Sequence, residues 1–137
     1  MKGNTEAETP EFAFRLDGHS GVPVYRQLID QVQAAIAMGG LHSGDQLPTV
    51  RQVAVELEIN PNTVLRAYRE MEIRGLLDTQ QGTGTFVAEK QQSAGPKAAR
   101  ERQLAQLAGE FVSRAGAQGF TVGELVKELG RLQNERK

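Results

Sequence analysis

The stretch that decides the fold runs from residue 49 to residue 87 and reads TVRQVAVELEINPNTVLRAYREMEIRGLLDTQQGTGTFV. Thr49 with Gln52 three residues later forms a capping-box pattern, which predicts the start of a helix. The dipeptide Asn60-Pro61 predicts the end of that helix and the start of the next, because proline disfavours helical geometry in the preceding residue but is well tolerated at a first helical position. Two short helices joined by about three residues form a helix-turn-helix.

The second of these helices has distinct core and solvent faces. Its predicted core face, at helical spacing, consists of Val64, Ala67, Tyr68 and Met71. Off that face lie Asn62, Thr63, Arg66 and Arg69. Gly75 supplies a left-handed stop at the end of the helix. In a helix-turn-helix the second helix can enter the major groove of DNA, so this outer face is the candidate reading surface.

A β-hairpin is predicted directly after this helix. Residues 76–80 and 85–87 are β-prone, and they flank Gln81-Gly82-Thr83-Gly84. Glycines permit the positive φ angles of a tight turn. Gly82-Thr83-Gly84 does not open a helix and has no phosphate-loop lysine, so a nucleotide site is not favoured. The expected fold is mainly α with a small β-hairpin wing, a winged helix-turn-helix.

The chain before residue 49 completes this predicted domain, which spans residues 11–89. Residues 1–10 are predicted to be a disordered tail, and residues 41–48 a loop. The alternation of Phe12, Phe14 and Leu16 with smaller and polar residues predicts a short strand. Pro23 is expected at the first position of helix one. The apolar face of that helix consists of Tyr25, Leu28, Ile29, Val32 and Ile36.

Two further amphipathic helices are predicted after a linker at residues 90–99, within a segment spanning 100–137. Their apolar stripes are Leu104, Leu107, Ala108, Phe111, Val112 and Ala115, then Val122, Leu125, Val126, Leu129 and Leu132. Two short helices cannot build a self-sufficient core. The pattern favours dimerisation with a second copy through Leu104, Leu107, Phe111, Leu125 and Leu129. The alternative is that the helices fold back on the winged helix of the same chain.

Composition excludes several classes of function. The 137 residues include no cysteine, which rules out disulfides, thiolate zinc sites and thiol nucleophiles. No apolar run of roughly 18 residues is present, and the polar, acidic start MKGNTEAETPE does not fit the pattern of a signal peptide, so no membrane association and a cytoplasmic location are expected. His19 and His42 are far apart, without metal-ligand spacing. No catalytic set can be assigned, and we expect no metal, no cofactor and no enzymatic activity.

The charge of the predicted DNA-reading domain is mildly acidic. Residues 22–90 carry 6 basic and 8 acidic side chains, within a chain of net charge −1. Any phosphate-neutralising surface must therefore come from a few arginines, helix N-termini and backbone amides.

Residues 41–87 resemble the DNA-binding domain of the GntR family of bacterial regulators. The resemblance is carried by Gly-Asp-x-Leu-Pro, by the arginine three residues after that proline, and by the terminal Gly-x-Gly-x-Phe-Val. The phrases GVPVYRQLIDQV and INPNTVLRAY are similar to the YtrA-like branch. In that branch the C-terminal region is a short helical dimerisation segment.

The resemblance implies roles for individual residues. Arg51 matches the position that contacts DNA from the second helix, although it could instead pair with Glu56 or Glu58. The start of the recognition helix and the wing tip supply the other candidates. The candidate DNA-binding residues are Arg51, Asn60, Asn62, Thr63, Arg66, Gln81, Gly82 and Thr83. Asn and Arg side chains can pair bidentately with adenine and guanine edges respectively. The family's wings often carry basic residues, whereas this chain has Gln80 and Gln81.

The resulting hypothesis is a bacterial, cytoplasmic transcriptional regulator that represses as a homodimer on a palindromic operator. Its expected partners are double-stranded DNA, a second copy of the chain and an unidentified small-molecule effector. The alternative is a winged-helix protein-interaction module without DNA binding, which the acidic balance and the uncharged wing support.

Overall fold

The computed structural model describes residues 12–89 and 96–135. They belong to two compact units, and we refer to residues 12–89 as the N-terminal unit and residues 96–135 as the C-terminal unit. The predicted tail at residues 1–10 and most of the predicted linker lie outside the described residues.

The N-terminal unit is a three-helix fold with a hairpin. Its elements are α1 (Val24–Ala37), α2 (Val50–Leu57), α3 (Pro61–Ile73), β1 (Leu77–Gln80) and β2 (Gly84–Val87). The two strands are antiparallel, with Leu77 paired to Val87 and Gln80 to Gly84. The predicted mainly α winged helix-turn-helix is confirmed, with α2 and α3 as its two helices.

The helices begin where the capping signals predict. The Thr49 hydroxyl accepts from the Gln52 N–H at 3.0 Å, and the Gln52 side chain accepts from the Thr49 N–H at 2.8 Å. Asn60 caps α3, and Pro61 is its first residue. Pro23 differs slightly from the prediction, because it is the residue before α1 instead of its first residue.

The core of the unit is built around α3. This helix packs against α1, α2 and β1. Its predicted core face is confirmed, since Val64, Ala67, Tyr68 and Met71 are all almost fully buried. From the other elements, the core includes Phe14, Leu28, Ile29, Val32, Leu41, Leu47, Val53, Ala54, Leu77 and Val87. The outer face of α3 is therefore fixed by what its inner face buries.

The predicted N-terminal strand is wrong. Residues 12–17 form no strand, although Phe14 is buried in the core. The backbone N–H groups of Arg15 and Asp17 donate instead to the side-chain oxygens of Gln31 and Gln27, each at 2.9 Å. The segment lies along α1, and glutamine side chains satisfy its backbone in place of a partner strand.

The predicted loop at residues 41–48 is partly paired with the hairpin. The Gly44 N–H donates to the Val87 carbonyl at 2.9 Å, and the Val87 N–H donates to the Asp45 carbonyl at 2.8 Å. The Leu47 N–H donates to the Thr85 carbonyl at 2.9 Å. This segment thus extends the hairpin on the β2 side and ties it to the start of α2.

The C-terminal unit contains α4 (Lys97–Ala117) and α5 (Val122–Glu135), which pack against each other. The predicted capping box at Thr121 and Glu124 is present. The predicted linker boundary is too late, because α4 already begins at Lys97, directly after Pro96. Proline is well placed there because a helix start needs no N–H from it. Across the described residues, no helix is long and apolar enough to cross a membrane.

The end of α2 shows local strain. The three helices of the N-terminal unit are each followed by a residue of positive φ: Gly39 after α1, Glu58 after α2 and Gly75 after α3. At all three ends, the residue after the positive-φ residue donates its N–H to the carbonyl of the residue five positions earlier, as in a Schellman motif. Glu58, at φ 57°, is the non-glycine member of this set. Its Cβ makes this conformation unfavourable for an L-amino acid.

We expect Glu58→Gly to raise the free energy of unfolding by up to about 1 kcal/mol, because glycine accepts positive φ without steric cost. Urea denaturation measures the change. The matched control is Glu56→Gly, which removes the same charge from the helical part of α2 and should destabilise by about 0.5–1 kcal/mol. Equal destabilisation by both substitutions would show that Glu58 is not strained.

Candidate nucleic-acid interface

The outer face of α3 presents polar side chains to solvent, as predicted. Asn62, Arg66 and Arg69 are exposed, and Thr63 is half-buried. Asn62, Arg66, Arg69 and Ile73 line one shallow depression of about 350 Å³ along the helix, together with Leu65 and Glu70. This face combines amide and guanidinium groups, which can donate hydrogen bonds to base edges or phosphates.

Asn60, the candidate residue that directly precedes α3, also has a structural role. The Asn60 side-chain oxygen accepts from the Asn62 N–H at 2.8 Å. This side-chain oxygen is therefore engaged in the helix cap, which leaves the side-chain NH₂ group to bond another partner. Asn60 both starts α3 and faces solvent beside it.

Arg66 has a partner that the sequence did not predict. Its guanidinium carbon lies 3.8 Å from the centre of the Tyr25 ring on α1, a cation–π contact. The sequence placed Tyr25 only on the apolar face of α1. Helical periodicity could not reveal the contact, because it depends on how α1 and α3 pack.

The predicted alternative partner of Arg51 is not observed. Arg51 is exposed on α2, and the residues that the structure describes contain no ion pair between it and Glu56 or Glu58. Two other arginines of the unit have ion-pair partners. The Arg74 Nε lies 3.1 Å from a Glu70 carboxylate oxygen, and the Arg26 Nε lies 3.9 Å from Asp30.

The wing tip consists of Gln81, Gly82 and Thr83, all exposed, because Gln80 and Gly84 form the last strand pair. Gly82 has φ 85°, which the turn requires and glycine supplies without strain. The Gln46 side chain donates to the Thr83 carbonyl at 3.1 Å and so braces the tip from the segment before α2. Gln46 is not recognisable as a wing contact from the sequence, because it lies 37 residues before Thr83 and carries no local signal.

A partly buried hydrogen bond connects α3 to the residue before the cap of α2. The Tyr68 hydroxyl of α3 donates to the Pro48 carbonyl at 2.5 Å. Pro48 directly precedes Thr49, the residue that caps α2. Burial raises the pKa of Tyr68 well above its ordinary value, so the phenol keeps its proton and remains a donor even in alkaline solution. The bond holds the start of α2 against α3.

The described part of the chain offers no site for a metal. No group of three or more His, Asp or Glu side chains comes together among residues 12–89 and 96–135. The His42 Nδ1 atom instead lies 3.7 Å from the Asp45 Oδ2 atom, in the segment that pairs with β2.

The family follows from comparison with known proteins. A family model described as bacterial regulatory proteins, gntR family, matches residues 24–87. The HTH-type transcriptional repressor YtrA of Bacillus subtilis is 34% identical over 118 residues, which cover 84% of this chain and 90% of that protein. This chain belongs to the GntR family.

Two other comparisons agree in length and in fold. The HTH-type regulator YhcF of Bacillus subtilis is 34% identical over 116 residues, covering 85% of each chain. The structure of a GntR family transcriptional regulator from Listeria monocytogenes superposes with a TM-score of 0.58 at 28% identity, covering 85% of this chain and 98% of that one. The resemblance noted in the sequence is thus confirmed. The chain is a transcriptional regulator of the GntR family and not an enzyme.

We expect Gln46→Ala to loosen the wing tip without disturbing the helices, because it removes the bond to the Thr83 carbonyl. Hydrogen exchange should be faster at the Thr83 amide, which donates to the Gln80 carbonyl at 3.0 Å. Amides inside α3 should exchange as before. Gln81→Ala is the matched control, since Gln81 lies in the same tip without a described contact. Unchanged exchange at Thr83 in Gln46→Ala would remove Gln46 as a brace.

Proposed function

We propose that this GntR-family regulator reads duplex DNA with α3 and represses transcription as a homodimer on a palindromic operator. The observation that carries the proposal is the outer face of α3, where Asn62 and Arg66 lie one turn apart on a helix anchored by its buried face. Asn62 would pair with adenine and Arg66 with guanine in the major groove. The relative YtrA is named a transcriptional repressor, which supports repression instead of activation.

The remaining candidate residues would hold the protein on the DNA backbone. Arg51 is exposed on α2, the helix that crosses the backbone in this class of fold. Asn60 and Thr63 lie at the start of α3, where helix N-termini favour phosphate oxygens. At the wing, Gly82 has no side chain and would let the protein backbone approach the DNA closely. Gln81 and Thr83 would form hydrogen bonds to the DNA backbone through uncharged side chains. Sequence reading would therefore depend on α3, with a weaker electrostatic contribution from the wing.

The homodimer is supported by the C-terminal unit. Leu104 is 68% exposed, Leu107 64%, Phe111 47% and Leu129 52%, while Leu125 is half-buried. Among the described residues of this unit, Ala115 is the one hydrophobic side chain that is buried. Contiguous apolar surface of this kind marks an interaction site. A second copy presents the same surface, and its two-fold axis would set the spacing of the half-sites. The effector and the cytoplasmic location stay predictions.

The experiment that tests DNA reading is selection of bound duplexes from a random pool at two salt concentrations. We expect a palindromic site, and Arg66→Ala should weaken binding to it by about 1–3 kcal/mol and relax the preference at one base pair of each half-site. Arg26→Ala is the matched control, because it removes an arginine that lies on α1 and is paired there with Asp30. No enrichment from the pool at either salt would favour the protein-interaction module.

The dimer surface can be tested separately. We expect Leu107→Glu to shift the protein from dimer to monomer in sedimentation equilibrium, because a buried unpaired carboxylate is costly. Ser113→Glu adds the same charge on the opposite side of α4 and should leave the dimer intact. A wild-type chain that is monomeric at high concentration would contradict this part of the proposal.

A further inference from the structure

We infer that Tyr25 is a positioning residue for DNA reading, because it holds the Arg66 guanidinium in place before DNA arrives. This inference rests on the proposed function and assigns a role to a residue outside the helix-turn-helix. Tyr25 lies in the first turn of α1, and Arg66 lies on α3. The guanidinium carbon is 3.8 Å from the ring centre, so α1 supports the reading helix directly.

The contact uses the face of the guanidinium and leaves its edges free. A guanidinium stacked on an aromatic ring keeps its N–H donors in its own plane, directed away from the ring. Within the described residues, no hydrogen bond or ion pair occupies those donors on Arg66. They remain available for the two acceptors of a guanine edge.

The acidic residue best placed to compete for Arg66 is already engaged. Glu70 is four residues after Arg66 on α3, a spacing that favours an ion pair. Its carboxylate is bonded instead to Arg74, at 3.1 Å. Arg66 is therefore kept out of an ion pair on its own helix and stacks on Tyr25.

Tyr25 is suited to this role because its own position is fixed. It is half-buried and packs against the hydrophobic core of the N-terminal unit. An arginine loses much rotational freedom when it binds, and ordering it beforehand reduces the loss on binding. Arg51 and Arg69 have no described stacking or ionic partner, so this preorganisation distinguishes Arg66 from them.

The test compares four variants by the random-pool selection and by titration of the selected site: Arg66→Ala, Tyr25→Leu, Tyr25→Phe and the double variant Tyr25→Leu with Arg66→Ala. Tyr25→Leu should weaken binding about 2- to 10-fold, the range for ordering one long side chain on binding instead of beforehand. It should also relax the preference at the same base pair as Arg66→Ala. Tyr25→Phe keeps an aromatic face and should retain both affinity and preference. In the Arg66→Ala background, Tyr25→Leu should cause no further loss.

The control for a purely structural role is Ile36→Ala, which removes another half-buried side chain of α1 that packs on the core. It should lower the thermal midpoint but leave the base preference unchanged. Each variant is first shown by circular dichroism to be folded at the assay temperature, and Tyr25→Met replaces Tyr25→Leu if the latter is not.

Three results would overturn the inference. The first is a Tyr25→Leu protein with wild-type affinity and base preference. The second is a loss of affinity from Tyr25→Leu that is equally large in the wild-type and Arg66→Ala backgrounds. The third is a Tyr25→Phe protein as impaired as Tyr25→Leu. If the wild-type chain enriches no sequence, the proposed function fails and this inference fails with it. Enrichment by the wild type with any of the three results removes the role of Tyr25 alone.

Discussion

The burial of one face of α3 is the constraint on which the rest of the N-terminal unit depends. Val64, Ala67, Tyr68 and Met71 are almost fully buried against α1, α2 and β1. A shift of α3 by one residue would rotate this face by about 100° and bring polar side chains into the core. The orientation of Asn62 and Arg66 is thus set by packing on the opposite side of the helix. The buried Tyr68 hydroxyl fixes the start of α2 in the same way.

Local signals in the sequence were sufficient for most of this architecture. The capping box at Thr49, the Asn60-Pro61 boundary and the core face of α3 each depend on residues within a few positions of one another, and all three are confirmed. The prediction of an N-terminal strand was wrong because strand pairing depends on residues that are distant along the chain. Alternation of Phe12, Phe14 and Leu16 reports which side chains face the core, but it does not report whether another strand is near enough to pair.

The features that the sequence did not reveal are long-range contacts between polar or aromatic side chains. Gln46 reaches the wing tip 37 residues later, and Tyr25 reaches Arg66 across the packing of α1 on α3. Neither residue is distinguished by its own neighbours in the chain. Arg66 was identified as a candidate from its position off the core face and from the family resemblance, whereas the surroundings that set its side-chain geometry appear only in the folded unit.

The acidic balance of residues 22–90 has a consequence for how such a protein would be distributed in a cell. Non-specific affinity for DNA comes almost entirely from charge neutralisation, and a genome offers about 10⁶–10⁹ competing sites. Residues 22–90, with 6 basic and 8 acidic side chains, have little of this general attraction. Fewer molecules would be held on random sequence, so a small number of copies could keep a single operator occupied. Low charge would then favour occupancy of one site over binding to random sequence, while giving less electrostatic steering during the search.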